Sequence, residues 1–220
     1  MRDQLIKTLK LLTLAEKLKC ELRNSWLSNG QQESVAEHSW RLAFMVCLFA
    51  PYLAQPVNIE KSLKIALIHD LAEAETGDIP MFNCQDPVSK QQKLINEQKV
   101  MIKIKSLLNN AIGQEIYDLW LEYEEKQTYE AKFVNALDKI EAHIQHGEAD
   151  LSTWQHHEKL MVFQKQWLDR HCEFDPAMLL VKDMVKQAIY EKFIANGEDI
   201  DQLRAEALQT DKQQILDSLS

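Results

Sequence analysis

The sequence predicts an all-α protein, on three observations. Glycine and proline are scarce, with five of each in 220 residues. Apolar residues recur at helical spacing along long segments. Capping residues and turn residues punctuate those segments where a helix should start or stop. Hydrophobic residues make up 45% of the chain and charged residues 27%, which supports a sizeable packed core and excludes a disordered chain. No internal repeat, low-complexity stretch or linker divides it. We therefore expect one helical domain over residues 1–220, of about seven to nine helices.

Residues 2–20 form the first expected helix, amphipathic through Leu5, Leu9, Leu12 and Leu18 and packed on the core by that face. The polar stretch 24–33 (NSWLSNGQQE) is expected to be a loop. Ser34-Val35-Ala36-Glu37 has the form of a capping box, which opens a helix running to about Ala54. The apolar surface of that helix is continuous from Leu42 to Ala50, so we expect it to be central and buried. Asn58 is the expected cap of the next helix, from Ile59 to Glu75, which Gly77 and Pro80 terminate. Further helices are expected at 89–109, 113–126, 129–147, 155–171, 175–195 and 200–218. Trp40, Trp120, Trp154 and Trp167 are expected in the core. His143, His146, His156, His157 and His171 are expected as packing or surface residues.

A net charge of -9, with no basic patch or arginine-rich run, argues against a polymeric nucleic-acid partner. A small anionic substrate would need local positive charge, which a metal ion and one or two basic residues supply. Cys20, Cys47, Cys84 and Cys172 are scattered without a CxxC pair, so reduced thiols in a cytoplasmic protein are expected. No long apolar segment with a small-residue cleavage site opens the chain, and the run Leu42–Ala50 is too short to span a bilayer. No membrane association is expected.

The chemistry is carried by His38, His69, Asp70 and Asp138. An adjacent His-Asp pair, with a His before it and an Asp after it, offers imidazole and carboxylate donors for one divalent metal ion. Facing helices of a bundle collect ligands in this way. Adjacent helical side chains diverge by about 100°, so His69 and Asp70 can share an ion only at a helix edge lining a cavity. Glu73 lies four residues after His69 and three after Asp70, on their helix face. Asp78 follows the Gly77 turn directly. Arg23 matches phosphate oxygens by its guanidinium fork, or else pairs at the surface with Glu21 or Glu33. Glu122-Tyr123-Glu124-Glu125 is, from its residues alone, a solvated helix end. Neither a GxSxG elbow nor a P-loop is present, so hydrolysis is expected by direct attack of water, without a covalent intermediate.

The segments SVAEHSWRLAFM, IHDLAEAETGDIP and NALDKIEA resemble the signature of the HD-domain phosphohydrolases. Within them the match is to the bacterial 5′-deoxynucleotidases and the eukaryotic HD-domain-containing protein 2 group. The resemblance spans about residues 15–150, with the C-terminal helices expected to pack on that core. It implies a helical HD domain, one divalent ion (Co, Mn, Zn, Mg, Ni or Fe), a homodimer, and hydrolysis of nucleoside 5′-monophosphates, deoxyribonucleotides included. By position it puts His38, His69, Asp70 and Asp138 on the metal ligands. Glu73 falls on the acid that handles the attacking water, Asp78 on an acid at the substrate end, and Arg23 on a phosphate-contacting arginine. One element departs from the bacterial pattern. Asn24 stands where a tryptophan follows the arginine, and Trp26 comes two residues later, which leaves base and sugar preference open. Two alternatives stand beside this reading: hydrolysis of another phosphate ester, such as a cyclic nucleotide or a guanosine polyphosphate, and a non-enzymatic metal-bound module.

Overall fold

The computed structural model describes residues 1–218, so the last two positions of the expected domain lie outside it. The architecture is helical, with eleven α-helical segments and one two-stranded hairpin among the described residues. None of the described helices is long and apolar enough to cross a membrane. The chain forms two compact units. The first comprises Met1–Ser25, Gln32–Pro51 and Val57–Val134; the second comprises Trp26–Gln31, Tyr52–Pro56 and the chain from Asn135 onward.

In the first unit, α1 (Arg2–Ala15) runs into a 3₁₀ turn at Glu16–Lys19. It packs by Leu11, Leu14 and Ala15, followed by the buried Leu18. Leu5, Leu9 and Leu12 are exposed, so the helix presents a different face from the one expected. Residues 24–33 are not simply a loop. Strand β1 (Leu22–Trp26) pairs with β2 (Gln32–Ser34), and Gly30, with φ 83°, makes the turn between them. The hairpin is short and polar, which is why no alternating apolar pattern announced it.

Helix α2 (Val35–Phe49) begins with the expected capping box. The Glu37 backbone N–H donates to Ser34 Oγ at 3.2 Å, and the Ser34 N–H donates to Glu37 Oε2 at 2.7 Å. The helix stops earlier than Ala54, giving way to a 3₁₀ turn at Ala50–Tyr52. Only one side of it is buried, through Val35, Leu42, Met45 and Val46. Trp40, Phe44 and Leu48 form an exposed stripe, and Trp40 is 66% exposed rather than in the core.

The expected helix 59–75 is two helices. Asn58 caps α3 (Ile59–Ile68) as expected, accepting from the Lys61 N–H at 3.0 Å. After His69 the backbone bonding tightens from i−4 to i−3: Leu71 donates to Ile68 at 2.9 Å and Glu73 to Asp70 at 3.0 Å. The single-turn helix α4 (Glu73–Thr76) follows and ends at Gly77, whose φ of 75° suits glycine. Tightened turns bring residues three apart onto one line, which sets Asp70 above Glu73. Asp86 and Pro87 start α5 (Pro87–Leu108), which buries Glu97, Val100, Met101, Ile104 and Leu108 along one stripe. Helix α6 (Ala111–Glu125) packs closely on α5. A Cβ at Gly113 would lie 2.9 Å from the Lys105 carbonyl oxygen. Trp120 is fully buried in this core with Val35, Leu71, Met101 and Ile104.

Helix α7 (Tyr129–Glu148) is continuous, and the division between the units falls within it. The second unit adds α8 (His156–Met161), α9 (Asp169–Cys172), α10 (Pro176–Ala195) and α11 (Ile200–Ser218). The expected helix 155–171 is thus two short helices joined by turns. Trp154, Val162, Ile189, Phe193 and Leu203 form this unit's core. His146 packs edge-on against Trp154, His156 pairs with Glu206, and His171 contacts the Asn135 amide at 2.8 Å.

Candidate metal centre

The site is built where the α3–α4 break meets the start of α2 and the hairpin. His38 stands one turn into α2 and is fully buried. His69 is the last residue of the α3 spiral, not an interior helical residue, and Asp70 is the first of the tightened turn. The two adjacent side chains nevertheless meet, with Asp70 Oδ2 3.0 Å from His69 Nε2.

The His69 ring is fixed in one tautomer. Nδ1 lies 2.9 Å from the Ala66 carbonyl oxygen, which can only accept, so Nδ1 carries the proton. Nε2 is buried and without a hydrogen-bond partner among the described residues. A ring nitrogen prepared in this way, by a backbone carbonyl on its other side, is suited to a metal. Asp70 Oδ2 lies 3.0 Å from His69 Nε2 and 3.8 Å from His38 Nε2. The two rings are 5.5 Å apart between centroids, and one donor atom of each histidine lies within 4.8 Å of the other. Donors held about 2.1 Å from one ion stand roughly 3–3.6 Å apart; Asp70 and His69 meet that spacing, and His38 lies slightly beyond it. Tyr123, expected at a solvated helix end, is instead buried with its ring 5.1 Å from that of His69.

Around these donors the charge is mostly negative. Arg23 on β1 brings Nε to 3.3 Å from Glu33 Oε2 and one terminal nitrogen to 3.5 Å from Asp70 Oδ2. The partner foreseen at Glu33 is present, and the second carboxylate places the guanidinium beside the histidine pair. Asp78 is held by its own backbone, whose N–H donates to Glu21 Oε1 at 3.0 Å. Burial raises the Asp78 carboxyl, Arg23 opposes that shift, and the Asp70 charge adds to it. Glu73 is 3% exposed. Burial first, then the charges of Asp70 and Asp78, push it up to about 9, against Lys93 and Arg23.

Lys93 and Glu97, on α5, were not singled out in the sequence. Lys93 Nζ lies 3.4 Å from Glu73 Oε1 and 3.4 Å from Glu97 Oε1. Although burial works the other way, the carboxylates of Glu97, Glu73, Asp70 and Asp78 hold Lys93 above its ordinary value. Burial pushes Glu97 up to about 7, with Lys93 opposing. The available signal was the apolar stripe of α5, which continues through Val100, Met101 and Ile104 and takes Glu97 as its N-terminal member. Asp138 belongs to the second unit, on α7, where it is buried and accepts from Lys139 Nζ at 2.8 Å.

The comparisons with known proteins agree with this chemistry. The HD domain family matches residues 15–173. The 5′-deoxynucleotidase HDDC2 of Danio rerio is 39% identical over 142 residues, covering 64% of this chain and 68% of its own. The 5′-deoxynucleotidase hdd1 of Schizosaccharomyces pombe is 37% identical over 159 residues, covering 65% and 77%. Among solved structures, a predicted metal-dependent phosphohydrolase from Magnetospirillum magnetotacticum is similar with a TM-score of 0.65 and 25% identity, covering 86% of this chain and 98% of that one. This chain belongs to the HD domain family.

Proposed function

We propose that this chain is a metal-dependent phosphohydrolase that cleaves nucleoside 5′-monophosphates, deoxyribonucleotides among them, to nucleoside and phosphate. The observation that carries the reading is the convergence of His69 Nε2, His38 Nε2 and Asp70 Oδ2 beside the Arg23 guanidinium. The names of the relatives, 5′-deoxynucleotidases at 34–39% identity among the HDDC2 group, support the substrate class.

His38, His69 and Asp70 would hold one divalent ion, with Asp138 as the fourth ligand that the resemblance implies. Asp138 is assigned from its place in the NALDKIEA segment, and it is buried. The ion supplies positive charge to a phosphate oxygen and makes water more acidic, two effects this donor set is suited to exploit. Glu73 takes the proton of the attacking water. The water oxygen bonds to phosphorus as the bond from phosphorus to the nucleoside 5′-oxygen breaks, and that oxygen takes the proton back from Glu73 and leaves as the 5′-hydroxyl. Arg23 bonds the phosphoryl oxygens as charge accumulates on them, and Asp78 lies at the substrate end. We also propose that residues 1–220 act as one domain, since the family match runs through both units. A cytoplasmic homodimer completes the reading. Four free cysteines support the compartment, and the exposed Trp40, Phe44 and Leu48 support the association.

The test is phosphate release from 5′- and 3′-monophosphates of ribo- and deoxyribonucleosides with a panel of divalent metals. Phosphate from the 5′ series alone is expected. Pyrophosphate release from polyphosphate substrates with no monophosphate turnover would sink the reading.

A further inference from the structure

We propose that Lys93 is a positioning residue for the reaction: braced by Glu97, it holds one oxygen of Glu73 and leaves the other to take the water. The inference rests on the phosphohydrolase reading and adds to it a residue outside the three signature segments. Glu73 has two chemically equivalent oxygens in very different surroundings. Oε1 is 3.4 Å from the Lys93 ammonium, while Oε2 is buried with no hydrogen-bond partner among the described residues. A buried carboxylate oxygen without a partner is costly, so it persists where another requirement sets the orientation.

The orientation comes from α5. Lys93 and Glu97 are four residues apart on one helix face, a spacing that on an exposed surface contributes only a few tenths of a kcal/mol. Here Glu97 is buried, and it lies in the same stripe as Val100, Met101 and Ile104. That stripe fixes the helix and therefore fixes Glu97. The ammonium has three donors on a flexible stem, so it can bond both carboxylates while its stem remains partly exposed. Glu73 is twenty residues away in sequence, so nothing in the local helix requires this contact. A lysine serving only to neutralise Glu97 would not need to reach α4.

The experiment is a kinetic cycle on the full, metal-loaded chain: Lys93→Met, Glu73→Gln, the double variant, and Lys93→Arg, each with metal content and melting temperature. Substrate is a deoxynucleoside 5′-monophosphate. Lys93→Met should lower kcat by about 10–100-fold, a fraction of the effect of losing a general base. KM should stay within about threefold and metal content should be unchanged. In the Glu73→Gln background the same change should have no further effect on kcat, because Lys93 acts through Glu73. Lys93→Arg, which keeps a donor toward each carboxylate, should recover part of the rate. A fully additive double variant, or a raised KM with normal kcat, overturns the positioning role. So does an unchanged kcat in a destabilised Lys93→Met protein. Wild-type protein with metal bound and no turnover on any monophosphate overturns the phosphohydrolase reading and the role of Lys93 with it. Those two failures are distinguished by the wild-type measurement.

Discussion

Both units of this protein bury charge, and they do so differently. In the second unit Asp169 accepts from Lys186 at 2.6 Å and from Lys182 at 3.4 Å, and Lys182 also bonds Asp183 at 2.7 Å. Two acids meet two lysines, and these contacts join α9 to α10. In the first unit five carboxylates (Glu33, Asp70, Glu73, Asp78 and Glu97) face two cations, Arg23 and Lys93. His69 Nε2 and Glu73 Oε2 are among the atoms buried there without a hydrogen bond among the described residues. Matched charges hold a fold together, whereas a buried surplus of one sign makes a place for something of the other sign.

Removing the cation should give the largest effect. Chelation, or Asp70→Asn, should abolish turnover and lower the melting temperature, because a ligand that binds only the folded state stabilises it. Metal analysis and thermal melts check this; full activity with no metal bound breaks the comparison. Next is Glu73→Gln, which keeps shape and removes basicity. It should lose about 10²–10⁴ in rate while retaining metal. If it loses metal as Asp70→Asn does, Glu73 is a ligand.

Arg23→Ala should cost about 2–4 kcal/mol in transition-state stabilisation, read from kcat/KM on a 5′-monophosphate. An unaffected rate would make Arg23 a partner of Glu33 only. The counterpart in the second unit is Asp169→Asn. It should lower stability by about 1.5–3 kcal/mol, the range for hydrogen bonds to charged groups, and leave kcat and metal content unchanged. An activity loss there larger than the folded fraction explains would erase the contrast.

The last effect is a gradient with pH in the metal-free protein. Glu73 is raised in the folded state from its ordinary 4.5 to about 9, so between those values the folded state binds more protons than the unfolded state. Stability therefore falls as pH rises through that window, the reverse of the usual behaviour of a salt-bridged carboxylate. Glu97 adds to the fall between 4.5 and about 7. Melting temperatures measured from pH 5 to 9 should decline, less steeply in Glu73→Gln, and the decline should shrink when metal is added. A flat or rising profile would contradict the charge surplus.

Much of the helical framework was legible because it is set by contacts within four residues. The Ser34–Glu37 box, the Asn58 cap and the Gly77 stop each act on their own backbone neighbours and stand where the residues placed them. The hairpin at 22–34 escaped because its strands are too short and polar for an alternating pattern, yet it carries Arg23 and Glu33. Trp40 escaped because periodicity shows that a helix has an apolar side without showing whether anything covers it.

The sequence by itself determined the helical class, several helix caps, and the kinds of donor available: imidazole, carboxylate and one guanidinium. It did so because hydrogen bonding and side-chain period are local properties of the chain. Only the tertiary structure decided how those donors are oriented and charged. Asp70 Oδ2 comes to 3.0 Å from His69 Nε2 where α3 ends, and the packing of α5 brings Lys93 to Glu73 across twenty residues of chain. The physical reason is that the energy of a buried charge depends on every group within a few ångströms, and chain order does not say which groups those are.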